Sequence, residues 1–244
     1  ESQRLFRESE QRAAELAIIN GVLAALAAEL DIQGIYDAVG DKIREIFRQC
    51  DLAIRIYDPA TGLVDYVYLS EGGRRVEVAP HALPDRGFSR HVVETGETIV
   101  VNERLDEVAE RYGSLTVPGT QTEKSAVFVP LKVAGRVRGM IHLMDMEREH
   151  AFSDGDVRLL QTLAGSMGVA LENARLFDET QRLLKETERR SSELAVINSV
   201  QHGMARELDF QAIVDLVGDK LRELFRTGDM SIRWRDERTD MVHH

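Results

Sequence analysis

The chain has 244 residues and a hydrophobic fraction of 43%, enough apolar material for a packed core and a length that suits one or two domains. Its net charge of -11 argues against a nucleic-acid partner, which needs a basic stripe to displace phosphate counterions. The longest apolar stretch, Leu16 to Ala28, is broken by Asn20 and too short to span a bilayer. Cys50 is the single cysteine, which excludes an intramolecular disulfide or a Cys-rich metal site, and the expected location is cytoplasmic.

From Ser2 to Leu30, Leu5, Leu16, Ile19, Leu23, Leu26 and Leu30 recur at three- and four-residue spacing and predict a long amphipathic helix. A second helix starts near Asp31, carries Ile35, Val39, Ile43 and Phe47 on one face, and ends before Asp51. Leu52 to Tyr57 and Leu63 to Leu69 alternate about the Pro59-Ala60-Thr61-Gly62 turn, and Gly72-Gly73 leads into a third strand near Val76. A helix over Gly87 to Glu94, a strand over Thr98 to Val101 and a helix over Leu105 to Tyr112 follow. Lys124 to Val133 and Arg136 to Met146 form a closing hairpin about Ala134-Gly135. The sum is an α+β fold: a six-stranded, mainly antiparallel sheet framed by helices.

Ser153 opens the last helix, with Asp156 placed to complete a capping box. No proline follows, so the pattern can run unbroken to about Leu208. Its first turns, with Leu160, Leu163, Ala164 and Met167, are expected on the sheet. Beyond them a seam reads Val169, Leu176, Leu183, Arg190, Ile197, Met204, beside Asn173, Thr180, Thr187, Leu194 and Gln201. The first helix offers Leu5, Arg12, Ile19 and Leu26 with Ser9, Leu16 and Leu23. The expected partner is a second copy of the chain, bound through parallel helices along Leu5, Arg12, Leu16, Ile19, Leu23, Leu26, Leu163, Met167, Leu176, Leu183, Leu194 and Ile197. Arginine at the same seam position in both stretches weakens the coil and lets it shift or rotate.

The segment Glu15 to Asp65 returns as Glu193 to His243, identical at roughly half its positions. This divides the chain into a linker helix over 1–14, a module over 15–177, a helical linker over 178–192 and the opening of a second copy over 193–244. The chain starts on Glu1 without a signal peptide, and it is expected to be a piece of a longer protein.

The segment Val127-Phe128-Val129-Pro130-Leu131, continued through Gly135, Gly139-Met140-Ile141-His142-Leu143, resembles the "VPL…G…GvL" signature of GAF domains. Gly87-Phe88-Ser89 with Val92-Val93-Glu94-Thr95-Gly96-Glu97 through Asn102, and Phe152-Ser153-Asp154-Gly155-Asp156 through Asn173-Ala174-Arg175-Leu176-Phe177, resemble two further stretches of that family. The resemblance implies a sensory or dimerisation module of bacterial signalling proteins, with the terminal helices as dimer interface, a small-molecule pocket on the opposite face of the sheet and a downstream output domain. The cyclic-nucleotide-binding members carry an Asn-Lys…Phe-x-x-x-Asp-Glu pattern. Here Phe152 and Asp156 fit, but Val157 replaces the glutamate and Glu103 the lysine. No cysteine lies between Val76 and Leu131 for a bilin thioether, and Cys50, replaced by Gly228 in the second copy, does not suit the family's methionine sulfoxide reductases.

The candidate ligand residues come from strand alternation. Leu52, Ile54 and Ile56 share one face and are expected under the terminal helices; Ala53, Arg55 and Tyr57 share the other. Arg55 and Tyr57 are expected at the pocket with Arg138, Met140 and His142. Arg55 needs a carboxylate, a ligand anion or water, and Asp65 on the hairpin partner is the expected structural answer, repeated through Arg233 in the second copy. Ser89 is expected to cap its helix, whose free N–H groups also suit an anion. His81, His91, His142 and His150 lack zinc-site spacing, and Ser89 with His91 makes no catalytic pair because residues two apart on a helix face different ways. No catalytic residue, metal or cofactor is expected beyond an unidentified small molecule.

Overall fold

The computed structural model describes residues 16–26, 31–114, 122–206, 210–225, 230–236 and 240–243. The chain forms two compact units, Glu1–Phe177 and Asp178–His244. In the first, helix α1 (16–26) precedes α2 (Ile32–Ile46), β1 (Asp51–Asp58), β2 (Leu63–Glu71), β3 (Arg74–Arg75), β4 (His81–Ala82), α3 (Phe88–Thr95), β5 (Ile99–Val101), α4 (Leu105–Tyr112), β6 (Ser125–Val133) and β7 (Arg136–Asp145). Helix α5 (Asp154–Arg206) runs on into the second unit, which also holds α6 (Phe210–Phe225) and the hairpin β8 (Trp234–Asp236) and β9 (Met241–His243).

The sheet follows the order β3-β2-β1-β7-β6-β5, six strands as expected, and the two-residue β4 adds to β2 beside β3. Every pairing is antiparallel. The strand expected near Val76 is shorter and earlier. Gly72 and Gly73, at φ of 52° and 76°, turn the chain so tightly that β3 pairs with β2 only at Arg74 and Arg75.

Strand alternation splits the core in two. Leu52, Ile54, Val127, Val129, Ile141 and Leu143 project to one face, where they pack with Ile35, Val39 and Ile43 of α2 and Leu160, Leu163 and Met167 of α5. Fully burying one such side chain is worth about 1.5–3 kcal/mol. At Gly168, α5 comes so close to the sheet that a Cβ would lie 2.1 Å from the Lys132 carbonyl oxygen. The opposite face carries a second cluster, in which Ala126, Phe128 and Met140 meet Phe88 and Val92 of α3 and Leu105 and Ala109 of α4.

The ends of α2 and α5 follow from capping. The Asp31 carboxylate accepts the Gly34 N–H at 2.9 Å. Ser153 and Asp156 close the expected capping box, with the Ser153 N–H to Asp156 at 2.9 Å and the Asp156 N–H to Ser153 Oγ at 3.2 Å.

The expected dimer seam divides. Leu26, Leu163 and Met167 are buried in the core of their own chain, and Ile19 packs against it half-buried. Leu26, Leu163 and Met167 are corrected from interface to core, because α1 and α5 each turn an apolar stripe into the cluster on that face of the sheet. Leu16, Leu23, Leu176, Leu183, Leu194 and Ile197 remain exposed. Leu5 and Arg12 lie outside the described residues, as does the side chain of Met204.

Candidate functional site

Arg55, in the middle of β1, stands opposite Met140 of β7, and His142 stands opposite Ala53. The four residues share the face covered by α3 and α4. On β6, Phe128 opposes His142, and the two rings stack at 4.0 Å with an interplanar angle of 16°. Ser89 reaches the same point from the first turn of α3. Its Oγ accepts Arg55 Nη1 at 2.8 Å, and Arg55 Nη2 is hydrogen-bonded to His142 Nδ1. The guanidinium also lies 5.1 Å from the centroid of the Tyr66 ring, a cation–π contact.

The Arg55–His142 bond fixes the tautomer. Arginine is a donor only, so Nδ1 of His142 is the acceptor and the ring proton sits on Nε2. That nitrogen faces Glu123 Oε1 at 3.6 Å, too long for a hydrogen bond. Burial, and secondarily the Arg55 charge, holds the His142 pKa well below the usual 6.5. Burial also lowers the Arg55 pKa, partly offset by Tyr66 and Glu123. Arg55 Nε and His142 Nε2 are both shut off from water without a hydrogen-bond partner among the described residues.

The expected ion pair between Arg55 and Asp65 does not form. In an antiparallel pair, opposed residues project to the same face, and Asp65 opposes Ile56 while Tyr66 opposes Arg55. The carboxylate therefore serves the other face, where burial first and Asp65 second push the Tyr36 hydroxyl up to about 12. A register shift in the β1–β2 pairing at Ile54/Arg55 sets this arrangement. In the second unit, Arg233 is exposed and donates to Ser231 Oγ at 3.4 Å, and among the described residues no ion pair of Arg233 takes the place of the expected one.

Ser89 does not cap α3. The N-cap is Gly87, and the Phe88 N–H donates instead to Ser114 Oγ at 3.0 Å, which leaves the Ser89 hydroxyl to Arg55. Met140, expected at the pocket, is buried beside Phe88 and Phe128. Tyr57 sits further along β1, opposite Val64 near the hairpin. The positive charge of Arg138 acts on Asp58 at that hairpin. Neither joins the Arg55 cluster. Sequence reasoning missed Glu123, Phe128 and Tyr66. The strand register brings in Phe128 and Tyr66, and Glu123 comes from the segment just before β6; a register is not written in any one strand.

Residues of the partial cyclic-nucleotide pattern are engaged with the backbone. Asn102 donates to the Phe152 carbonyl at 2.7 Å and accepts its N–H at 3.2 Å, and Asp156 completes the α5 cap. Cys50 lines a cleft of about 350 Å³ with Phe47, Arg148 and Phe152. Burial, with the nearby Asp145 carboxylate, pushes its thiol up to about 11, so at neutral pH it is protonated and a weak nucleophile. Among the described residues no cluster of His, Cys, Asp or Glu could hold a metal ion, and no helix is long and apolar enough to cross a membrane.

The GAF domain of Acinetobacter phosphoenolpyruvate-protein phosphotransferase is similar at 16% identity and a TM-score of 0.55, over 67% of this chain and 95% of that one. The free methionine-R-sulfoxide reductase from Neisseria meningitidis, solved with its substrate, is similar at 17% identity and a TM-score of 0.56, over 67% and 92%. A methyl-accepting chemotaxis protein fragment is similar at 14% identity and a TM-score of 0.54, over 64% and 98%. At these identities the likeness establishes the fold. The family model for the GAF domain matches residues 29–172, more than half of the chain, and with the sheet order and the helices on both faces it places this protein in the GAF domain family, whose members are in general regulatory and sensory modules rather than catalysts.

Proposed function

We propose that the chain is a non-catalytic sensory and dimerisation module of a multidomain, cytoplasmic signalling protein, relaying small-molecule occupancy through parallel helices to a downstream output domain. The observation that carries this reading is α5, one helix of 53 residues. Its first turns put Leu160, Leu163 and Met167 in the core, while Leu176, Leu183, Leu194 and Ile197 further along are exposed. A solvated helix has no use for leucines at heptad spacing, and a parallel copy would bury them at about 25 cal/mol per Å². Residues 178–192 act as the helical linker and 193–244 as the start of a second copy in a tandem array. In support, α6 occupies the place in the repeat that α2 has in the first copy, and β8 and β9 fall on the counterparts of β1 and β2.

Light scattering tests the reading. Twice the chain mass is expected at micromolar concentration, and Leu16→Asp with Leu176→Asp is expected to give the monomer. A wild-type monomer would sink the relay.

A further inference from the structure

We propose that the α3/α4 face of the sheet binds a small organic monocarboxylate through the Nε edge of the Arg55 guanidinium. The chemistry rests on the side chains alone; its role as a signal rests on the sensory reading above.

Two buried side-chain atoms among the described residues lack a hydrogen-bond partner, and both belong to this one cluster. Such orphans are uncommon in native proteins because each forfeits its hydration without compensation. Arg55 Nε is a donor by nature. His142 Nε2 is a donor because Nδ1 is engaged by Arg55. The two nitrogens of one imidazole point apart, so with Nδ1 on Arg55 the Nε2–H is directed away from the guanidinium and toward Glu123; the group missing at Arg55 Nε is an acceptor of its own.

Charge narrows it to an anion. Arg55 has no ion-pair partner among the described residues, and Glu123 is the carboxylate that acts on it from a distance. Nε and one terminal nitrogen form a planar fork that matches the two oxygens of a carboxylate. His142 occupies the terminal nitrogen, and a bidentate oxyanion would displace it there. Glu123, 3.6 Å from His142 Nε2, sets the valence. Glu123 repels every negative charge a ligand brings, and a second charge finds no second cation in the Arg55 cluster, so a monoanion is favoured over a dianionic phosphate. The Glu123 side chain is 21% exposed against 6% for His142, which marks the side from which a ligand enters. Phe88, Phe128 and Met140 are buried on the same face, so the part of a ligand that meets them is apolar.

The test follows the Arg Nε–H and His Nε2 resonances of the whole ¹⁵N-labelled chain during addition of acetate, benzoate or 3-phenylpropanoate. 3-Phenylpropanamide and inorganic phosphate are the controls. A saturable shift of the Arg55 Nε–H signal is expected with carboxylates, about tenfold tighter or more for 3-phenylpropanoate than for acetate because it buries a ring. The amide should give none, phosphate should bind more weakly, and Arg55→Met should abolish the response. The wild-type His142 signal needs no variant and should move with the same midpoint. No saturable shift up to about 100 mM of any carboxylate, an equal response to the amide, or phosphate binding as tightly as the carboxylates would each overturn the proposal. Binding with no change in helix pairing would leave the ligand assignment standing and remove the relay; a stable dimer without binding would do the reverse.

Discussion

Arg55 and His142 are diagonal neighbours across the β1–β7 pair, Arg55 opposing Met140 and His142 opposing Ala53, and one hydrogen bond joins them through Nδ1. That bond keeps the imidazole neutral, because protonating Nδ1 would set two cations against each other in a buried place. The pKa of His142 is lowered well below 6.5, by burial first and then by Arg55. In the unfolded chain the ring takes a proton below about pH 6.5; in the fold it resists to lower pH. The unfolded state then binds more protons, so this stability is fully present above about pH 6.5 and is lost as pH falls through the window beneath it. The expected slope is about 1.4 kcal/mol per pH unit until the folded-state pKa is reached. Urea unfolding at pH 7.5 and 5.0 checks it. Wild type should lose more stability than His142→Gln, and parallel losses would show that His142 does not titrate as described.

Arg55→Met should cost less than a buried ion pair would. The guanidinium is desolvated, and no carboxylate among the described residues is bonded to it, Glu123 acting only from a distance; replacing such a charge by an apolar side chain of similar volume is often neutral or stabilising. Against this, His142 Nδ1 loses its donor, at about 1–3 kcal/mol. A net change within about 1 kcal/mol of wild type is expected, together with a His142 pKa that rises toward the ordinary value. A loss of about 3 kcal/mol or more in thermal or denaturant unfolding would mean that the residue is a structural ion-pair member after all.

Gly40 in α2 faces the ring of Tyr68, where a Cβ would come within 2.3 Å of two ring carbons. The ring is fully buried and its hydroxyl donates to Asp41 at 2.8 Å, so it has nowhere to retreat. Gly40→Ala is expected to destabilise by about 1–3 kcal/mol through overpacking. The double variant with Tyr68→Leu should lose less than the two singles added together. Simple additivity in chemical denaturation would show that the helix shifts to absorb the methyl group.

Much of the architecture is legible in the chain because it rests on local periodicity. The alternation Leu52, Ile54, Ile56 against Ala53, Arg55, Tyr57 assigns both faces of β1, and the Ser153/Asp156 spacing places the start of α5. What is not legible depends on register. Whether Asp65 or Tyr66 opposes Arg55 is decided by a register shift between β1 and β2, and a slip of one residue moves every side chain to the other face. Ser89 shows the same limit. It has the composition and place of a cap, but Gly87 at φ 112° and the remote Ser114 take that role. The division of the helical leucines into core and seam follows from the close approach at Gly168, which turns Leu163 and Met167 inward.

A parallel, in-register pairing of α5 makes a further demand on Arg190. In this chain it is bound within its own helix to Glu186 at 2.6 Å, in the heptad position that also holds Leu176, Leu183 and Ile197. A charged group in such a seam costs stability and loosens the register. Arg190→Leu should therefore tighten the dimer by about tenfold or more, each 1.4 kcal/mol counting as a factor of ten. In a Cys50→Ser background, Leu183→Cys should form a disulfide between copies under mild oxidation, since parallel seam positions bring equivalent Cβ atoms within bridging range of about 3.5–4.5 Å. Lys185→Cys, on another face of the helix, should not. Gel mobility without reductant and sedimentation across a dilution series read both effects. Efficient crosslinking at Lys185→Cys, or an unchanged dissociation constant in Arg190→Leu, would mean that the helices do not meet along this seam.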